Sequence, residues 1–402
     1  MTDSWRVVRL GDVCSFEKEQ DIHTGLPYVG LENIESGTGI FLGATNAVSV
    51  KSATFHFSPE HVLYGRLRPY LNKVLLPDFE GHCSTEIFPI KAGPDIAREY
   101  LFHWLSMDTT VKSINATSTG ARMPRANMNA VLDFEISVPP IIEQRRIVAI
   151  LDEAFEAIAT AKANTEKNLQ NAREWAVAQL STMLIDGSAS GLSGTMETLV
   201  APGCTLSYGI VQPGDEVPSG LPIVRPVDLG GKTVRTEGLK RIDPALARSY
   251  ARTTLEGNDL LLCVRGTTGT VAVAEPALAG ANVTRGIVPI RFDPHIISQV
   301  LGYYLLCSEP VQTQIRAKTY GTALMQINIG DLRKIVVAFP PQEKQAALVE
   351  QLDAIQEAAD QLTNVYESKL AALDELKKSL LHQAFTGALT AKFIDKQVAE
   401  GA

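Results

Sequence analysis

The chain has 402 residues, 45% apolar and 20% charged, with 37 basic and 45 acidic side chains and a net charge of −8. This is ordinary composition for a folded protein with room for two or three domains. It excludes a strongly basic, general nucleic-acid binder, and the lack of any apolar run of about 18 residues excludes a membrane-spanning helix. The five cysteines (Cys14, Cys83, Cys204, Cys263, Cys307) form no Cys-x-x-Cys pair. An odd, scattered set predicts reduced thiols in a cytoplasmic protein rather than a disulfide framework. The opening Met1-Thr2-Asp3-Ser4-Trp5-Arg6 lacks the basic-then-apolar order of a signal peptide.

In chain order, residues 1–140 alternate short β-branched and aromatic runs with turn residues, as in Leu26-Pro27-Tyr28-Val29-Gly30-Leu31, and carry a helical patch near 97–107. Residues 141–187 form a second element, free of Gly and Pro until Gly187 and read as one long helix ended there by a left-handed glycine. The stretch Asp186-Gly187-Ser188-Ala189-Ser190-Gly191-Leu192-Ser193-Gly194 has the composition of a flexible linker. Residues 188–341 are strand-rich again, as in Asp259-Leu260-Leu261-Leu262-Cys263-Val264, with a helical patch near 296–318. Residues 342–402 hold a second long helix, ended by Gly387, and a tail. Apolar or small residues recur at three-and-four spacing in both helices: Leu151, Ala154, Ile158, Ala161, Leu169, Ala172, Ala176 and Leu180, then Leu348, Leu352, Ile355, Ala359, Leu362, Tyr366, Leu373, Leu376 and Leu380. That is a heptad-like seam, and a helix of about 40 residues spans about 60 Å.

The halves repeat. Val138-Pro139-Pro140-Ile141-Ile142-Glu143-Gln144 returns as Phe339-Pro340-Pro341-Gln342-Glu343-Lys344-Gln345, and the same offset of 201 pairs Leu151 with Leu352, Asp152 with Asp353, Gly120 with Gly321 and Asn127 with Asn328. Pro27-Tyr28-Val29 resembles Pro222-Ile223-Val224 and Phe88-Pro89-Ile90 resembles Val288-Pro289-Ile290, at drifting offsets of 195 and 200. The expected fold is therefore α+β: two strand-rich globular domains joined by two long antiparallel coiled-coil helices, with pseudo-two-fold symmetry from tandem duplication. Two-fold proteins match the dyad of a DNA duplex with spaced half-sites.

Only residues 188–341 are net basic, with 14 basic and 12 acidic side chains. Local clusters are more informative. Arg66, Arg68, Tyr70 and Lys73 stand in an acid-free run, as do Lys112, Arg122 and Arg125. In the second half Arg265, Thr267 and Thr268 occupy Val264-Arg265-Gly266-Thr267-Thr268-Gly269, and Lys318 and Tyr320 precede Gly321. Such loops can hold phosphates and read base edges; a solvated charged surface is the plainer alternative. A coiled-coil scaffold that carries two protein-binding domains and no DNA is the competing reading of the whole chain.

The order of parts resembles the DNA specificity subunit of type I restriction–modification systems. The resemblance rests on Trp5-Arg6-Val7-Val8-Arg9-Leu10-Gly11-Asp12-Val13, Tyr64-Gly65-Arg66-Leu67-Arg68-Pro69-Tyr70-Leu71-Asn72-Lys73 and Cys83-Ser84-Thr85-Glu86. It also rests on the two Pro-Pro-x-x-x-Gln helix starts and on Leu380-Leu381-His382-Gln383-Ala384-Phe385-Thr386-Gly387-Ala388-Leu389. The second half departs from it where Val264-Arg265-Gly266-Thr267-Thr268-Gly269 replaces the Arg-x-Arg-Pro-Tyr-Leu loop. The resemblance implies that residues 1–140 and 188–341 are target recognition domains, each reading one half of a bipartite asymmetric site in double-stranded DNA. It implies that the helices, 141–187 and 342–402 with the tail, set the spacing and dock two modification (methyltransferase) subunits. Gln144, Ile147, Leu151, Gln345, Leu348 and Leu352 at the helix starts are the docking candidates. Restriction subunits can join. The chain itself would be non-catalytic and hold no cofactor or metal, with S-adenosylmethionine and adenine-N6 methylation in the partner.

The sequence carries no Asn/Asp-Pro-Pro-Tyr/Phe stretch and no phosphate loop; Gly266-Thr267-Thr268-Gly269 lacks the lysine and reads as a turn. Asp78 and Glu80 lack the lysine of a metal-dependent nuclease and read as a surface loop, while His82 and Cys83, as strand neighbours, point to opposite faces. Ser84 and Thr85 suit a strand-end hydrogen bond as well as a phosphate, and Trp175 and Tyr366 read as helix packing residues.

Overall fold

A computed structural model describes residues 5–22, 25–44, 52–188, 191–322 and 324–389. Contacts divide the chain into two compact units, Met1–Lys167 with Glu367–Ala402, and Asn168–Tyr366. Both division points fall inside long helices, Ile141–Ser188 and Gln342–Phe385. Each unit thus holds the start of one long helix and the end of the other.

In the first unit, among the described residues, one four-stranded sheet orders Cys14–Phe16, Ile87–Ala92, His61–Gly65 and Val74–Leu75, and a second orders Gln20–Asp21, Thr54–Phe57, Gly81–Cys83 and Tyr28–Val29. Arg6–Arg9 pairs with Glu135–Val138 beside them. In the second unit Val271–Val273, Leu260–Cys263 and Ile287–Ile290 form one sheet, and Lys240–Ile242, Leu221–Val224 and Asn282–Val283 another. Leu192–Thr195 pairs with Val336–Phe339. The helices Arg98–Ser106 and Gln299–Cys307 lie in the expected patches.

Strand register establishes which residues correspond. Leu63 pairs with Pro89 and Leu261 with Pro289. Tyr28 pairs with His82 in parallel, and Ile223 with Asn282. A buried polar pair is repeated there: Thr54 Oγ1 lies 2.8 Å from His82 Nδ1, and Thr253 Oγ1 donates to Asn282 Oδ1 at 2.8 Å. The mixed sheet-and-helix content is that of an α+β protein.

The roots of the long helices are held identically. Gln144 donates to the carbonyls of Asp95 and Pro139 and accepts from the Ala97 N–H, each at 2.8 Å. Gln345 donates to Ile296 and Pro340 at 2.7 and 3.1 Å and accepts from Ser298 at 2.9 Å. Every partner is displaced by 201 residues. Two turns further on, Asp152 meets His103 Nε2 at 2.9 Å, and Asp353 accepts from the Tyr304 hydroxyl at 2.5 Å and from Lys232 at 3.2 Å. Burial raises the Asp353 carboxyl, but these two donors outweigh it and hold the group below its ordinary range.

Within the first unit the two helix segments are antiparallel: Lys377 stands 5.0 Å from the Phe155 ring and Asp374 pairs with Lys162 at 2.8 Å. Tyr100 and Phe385 stack at 4.7 Å between centroids, in a core that also takes Ile147, Leu151, Leu381 and Leu389. The second unit buries Leu184, Leu348 and Leu352 together. Ile158, Ala172, Ala176 and Ala359 are buried as the seam predicts.

Several expectations are corrected. Gln144, Ile147, Leu151, Gln345, Leu348 and Leu352 are at most 8% exposed. They serve packing within this chain, and a partner cannot reach them. Leu362 is 39% and Leu376 47% exposed, so these are surface rather than seam residues, and Trp175, 45% exposed, is a surface rather than a packing residue. The segment read as a linker is helix up to Ser188 and strand from Leu192; residues 189–190 lie outside the described residues. Gly187 does not end its helix; a Cβ there would meet Leu348 Cδ2 at 2.8 Å, so the residue permits close helix packing. Gly387, at φ 78°, does follow the second helix in the left-handed conformation.

Truncating a root glutamine leaves three backbone groups without partners, at about 1–3 kcal/mol for each one that stays buried. Gln144→Ala is expected to lose amide-exchange protection within the first unit only, and Gln345→Ala within the second only. Unchanged protection would show that the carboxamide bracket does not hold the helix root.

Candidate nucleic-acid interface

Two loops meet at the end of one sheet in each unit. In the first, strand His61–Gly65 runs into Arg66, Leu67 and Arg68 and a 3-10 turn at Pro69–Leu71. It lies against a hairpin in which Thr119 and Arg125 exchange backbone hydrogen bonds of 3.1 and 3.0 Å, with Gly120 at φ 95°. Arg68 N–H donates to Pro124 at 2.7 Å and Ala126 N–H to Arg66 at 2.9 Å. In the second unit Gly266 N–H donates to Met325 at 2.8 Å and Ile327 N–H to Val264 at 3.0 Å. Tyr320 and Gln326 exchange bonds of 2.9 Å, and Gly321 has φ 116°. The backbone ladder is therefore duplicated, at an offset of 198 in one loop and 201 in the other.

On this shared backbone the side chains differ. Arg66 corresponds to Val264, Leu67 to Arg265, Arg68 to Gly266 and Tyr70 to Thr268. Arg66 and Arg125 each donate Nε–H to Glu86, at 3.0 and 2.8 Å, and Arg66 also stands 5.3 Å from the Phe88 ring centre. Arg68 is exposed, and among the described residues its guanidinium has no partner. Tyr70 is 53% exposed. Arg122 is exposed in the hairpin, and Lys112 is exposed on helix Asp108–Ala116, which packs beside the 3-10 turn. The structure thus brings Arg66, Arg68, Tyr70, Arg122 and Arg125 to one loop cluster. Lys73 is corrected: its ammonium donates to the carbonyls of Leu31 and Ile34 at 2.7 and 2.8 Å, which makes it a tie within the domain.

In the second unit Arg265 is half-buried, and its Nε is buried without a hydrogen-bond acceptor among the described residues. Thr268 donates to Met325 at 3.1 Å and Thr267 to Cys263 Sγ at 3.5 Å. Tyr320 is 45% exposed and donates to Asn328 at 2.7 Å; Lys318 closes helix Glu309–Lys318. Tyr208 adds a hydroxyl from a separate loop, bonded to Ile327 at 3.3 Å. Burial raises its phenol above the ordinary value, against the opposing charge of Arg265, so it stays a neutral donor.

Sequence pattern does not single out Glu86 or Tyr208, because an acid and a distant tyrosine dilute a basic cluster rather than signal one. Met123 and Leu324, both 46% exposed, were also missed, although the offset of 201 links them. Other suspected sites resolve into structure. His82 and Cys83 take separate partners, Thr54 and the Ile87 carbonyl. Glu80 pairs with His56 at 2.9 Å, and Ser84 Oγ accepts from the Glu86 N–H at 3.3 Å.

Arg68 has φ 51° and ψ 60°. This left-handed conformation costs a residue with a Cβ about 1–2 kcal/mol, and its counterpart in the tandem copy is a glycine at φ 92°. Arg68→Gly is expected to leave thermal stability unchanged or raised while it removes one exposed guanidinium from the loop cluster. A clear fall in the unfolding midpoint would show that the arginine side chain supports the loop.

A family model described as the type I restriction modification DNA specificity domain matches residues 2–171 and 234–370. The EcoBI specificity subunit of Escherichia coli is 24% identical over 318 residues, a match spanning 73% of this chain and 66% of that subunit. A solved chain from work on complex assembly and conformational transition of the type I restriction–modification system aligns with TM-score 0.75 and 25% identity, over 96% of this chain and 99% of that one. The HsdS subunit from Thermoanaerobacter tengcongensis shares the fold, with TM-score 0.60 and 22% identity over 96% and 98% of the two chains. The loops, the duplicated ladder and the helix roots therefore belong to a member of the type I restriction–modification DNA specificity family.

Proposed function

We propose that this chain selects the DNA sequence on which a type I restriction–modification complex acts, each unit reading one half of a bipartite asymmetric site. The observation that carries the reading is the loop cluster: one backbone ladder, used twice, presents arginines and a tyrosine in two different arrangements. Equal scaffolds with unequal side chains suit two different half-sites. Backbone phosphates would be met by arginines such as Arg68 and Arg122, and base edges by side chains held beneath them. The length of the two long helices sets the gap between half-sites. Their exposed faces, rather than the buried root residues, seat two modification subunits, and restriction subunits add to that assembly. The chain's part is recognition; S-adenosylmethionine and the adenine-N6 transfer lie with the modification subunit.

Selection from a randomised duplex pool, followed by mapping of methylated positions, tests this directly. The expected result is a bipartite asymmetric motif whose affinity falls steeply with salt, with a logarithmic slope of about −0.9 per phosphate neutralised. Exchange of residues 1–138 should alter one half only. Insertion of one heptad after Thr165, with a matching heptad in the second helix, preserves the seam and lengthens it by about 10 Å, or about three base pairs. Salt-independent retention, or no selected sequence, would favour a protein scaffold instead. A changed half-site with an unchanged gap would remove the helices from the spacing role.

A further inference from the structure

Glu86 is the acid beneath the loop cluster of the first unit, and its side chain is 20% exposed. Its two oxygens are divided: Oε2 takes Arg66 Nε and Oε1 takes Arg125 Nε. Among the described residues, no acceptor is bonded to the Nη nitrogens of either arginine. A guanidinium engaged through Nε keeps its end-on fork, the two Nη groups, available for a bidentate acceptor. Phe88 restrains Arg66 further, at 5.3 Å.

The tandem copy supplies the control. Gly65 pairs with Ile87 and Cys263 with Ile287, so Glu86 corresponds to Gly286. The second unit keeps the whole backbone ladder without an acid at that place. A Cβ on Gly286 would meet Pro226 Cγ at 2.7 Å, so no acid fits there without a shift. The carboxylate is therefore not what shapes the loops. It also sets two like charges against one acid in a chain that is already acidic, which weakens attraction to phosphate rather than strengthening it.

We infer that Glu86 is a positioning residue for base discrimination by the first unit. It fixes the Nε edges of Arg66 and Arg125 so that their Nη forks stand ready for the O6/N7 edge of guanine. This rests on the reading of the first unit as a DNA reader. The forks form hydrogen bonds only, and no covalent step is involved.

The test uses the full chain assembled in its type I complex and the duplex that the wild type selects from a randomised pool. Glu86→Gln removes the charge and leaves one oxygen for two guanidinium groups. Binding is measured at several salt concentrations to the selected duplex, to duplexes substituted in either half, and to an unrelated duplex. Expected is a rise in affinity for the unrelated duplex, since one negative charge near phosphates is gone. Discrimination at guanine positions should fall about ten-fold or more, only in the half assigned to residues 1–138 by domain exchange. Discrimination that is unchanged, or that falls equally in both halves, overturns the inference, as does a change confined to the salt slope. If Glu86→Gln does not fold, Glu86→Asp, too short to span both arginines, is read the same way. If the wild type selects no sequence, the recognition reading itself fails, a result distinct from a failure of Glu86 alone.

Discussion

The carboxamide at the root of each long helix is the constraint from which the rest follows. A helix that leaves a domain needs a fixed exit direction, and a buried side chain that satisfies three backbone groups gives it one. Gln144 and Gln345 do this with partners displaced by the same 201 residues. Asp152 and Asp353 hold the helix two turns on, one through a histidine, the other through a tyrosine and a lysine. Where three polar atoms are satisfied by one buried side chain, any drift leaves unpaired groups at high cost. That explains why register is retained here and lost in the sheets, where offsets of 195, 198 and 200 are tolerated.

The long helices then impose a second condition. Each unit packs the end of one long helix into the core at the start of the other: Phe385 stacks on Tyr100, and Leu184 packs with Leu348 and Leu352. The first unit is not contiguous in sequence, so a change near residue 385 acts on a core built mostly from residues below 155. Gly187 illustrates how packing overrides local propensity. Its composition-based role was to end a helix; its structural role is to let Leu348 approach.

The duplication, the helices and the general α+β content were legible because helical periodicity and Pro-Pro starts are local signals. What sits on one face of a helix was less so. The root residues repeat most strongly because they are buried, and strong repetition alone does not separate an interior contact from a docking surface. Lys73 misled for a similar reason: an acid-free run looks like a phosphate site until folding turns its ammonium toward two carbonyls. Glu86 lies 20 residues from Arg66 and 39 from Arg125. No spacing rule joins them, and only the sheet register and the hairpin do.

On the proposed reading, an acidic chain that selects a DNA sequence has to separate sequence-specific contact from general attraction to phosphate. A net charge of −8 weakens the general term for the molecule as a whole. Specific contact would then depend on few cations held in defined directions, and the two units hold theirs differently. The first holds two arginines on one carboxylate and keeps a third, Arg68, on a strained backbone. The second relaxes the same backbone with Gly266 and leaves a single half-buried Arg265 whose Nε lacks an acceptor among the described residues. Preorganised cations lose little freedom on contact. The same ladder therefore carries a tied arginine pair in one unit and a single half-buried arginine in the other. Divergence of a few side chains is enough to make the halves unequal without any change of fold.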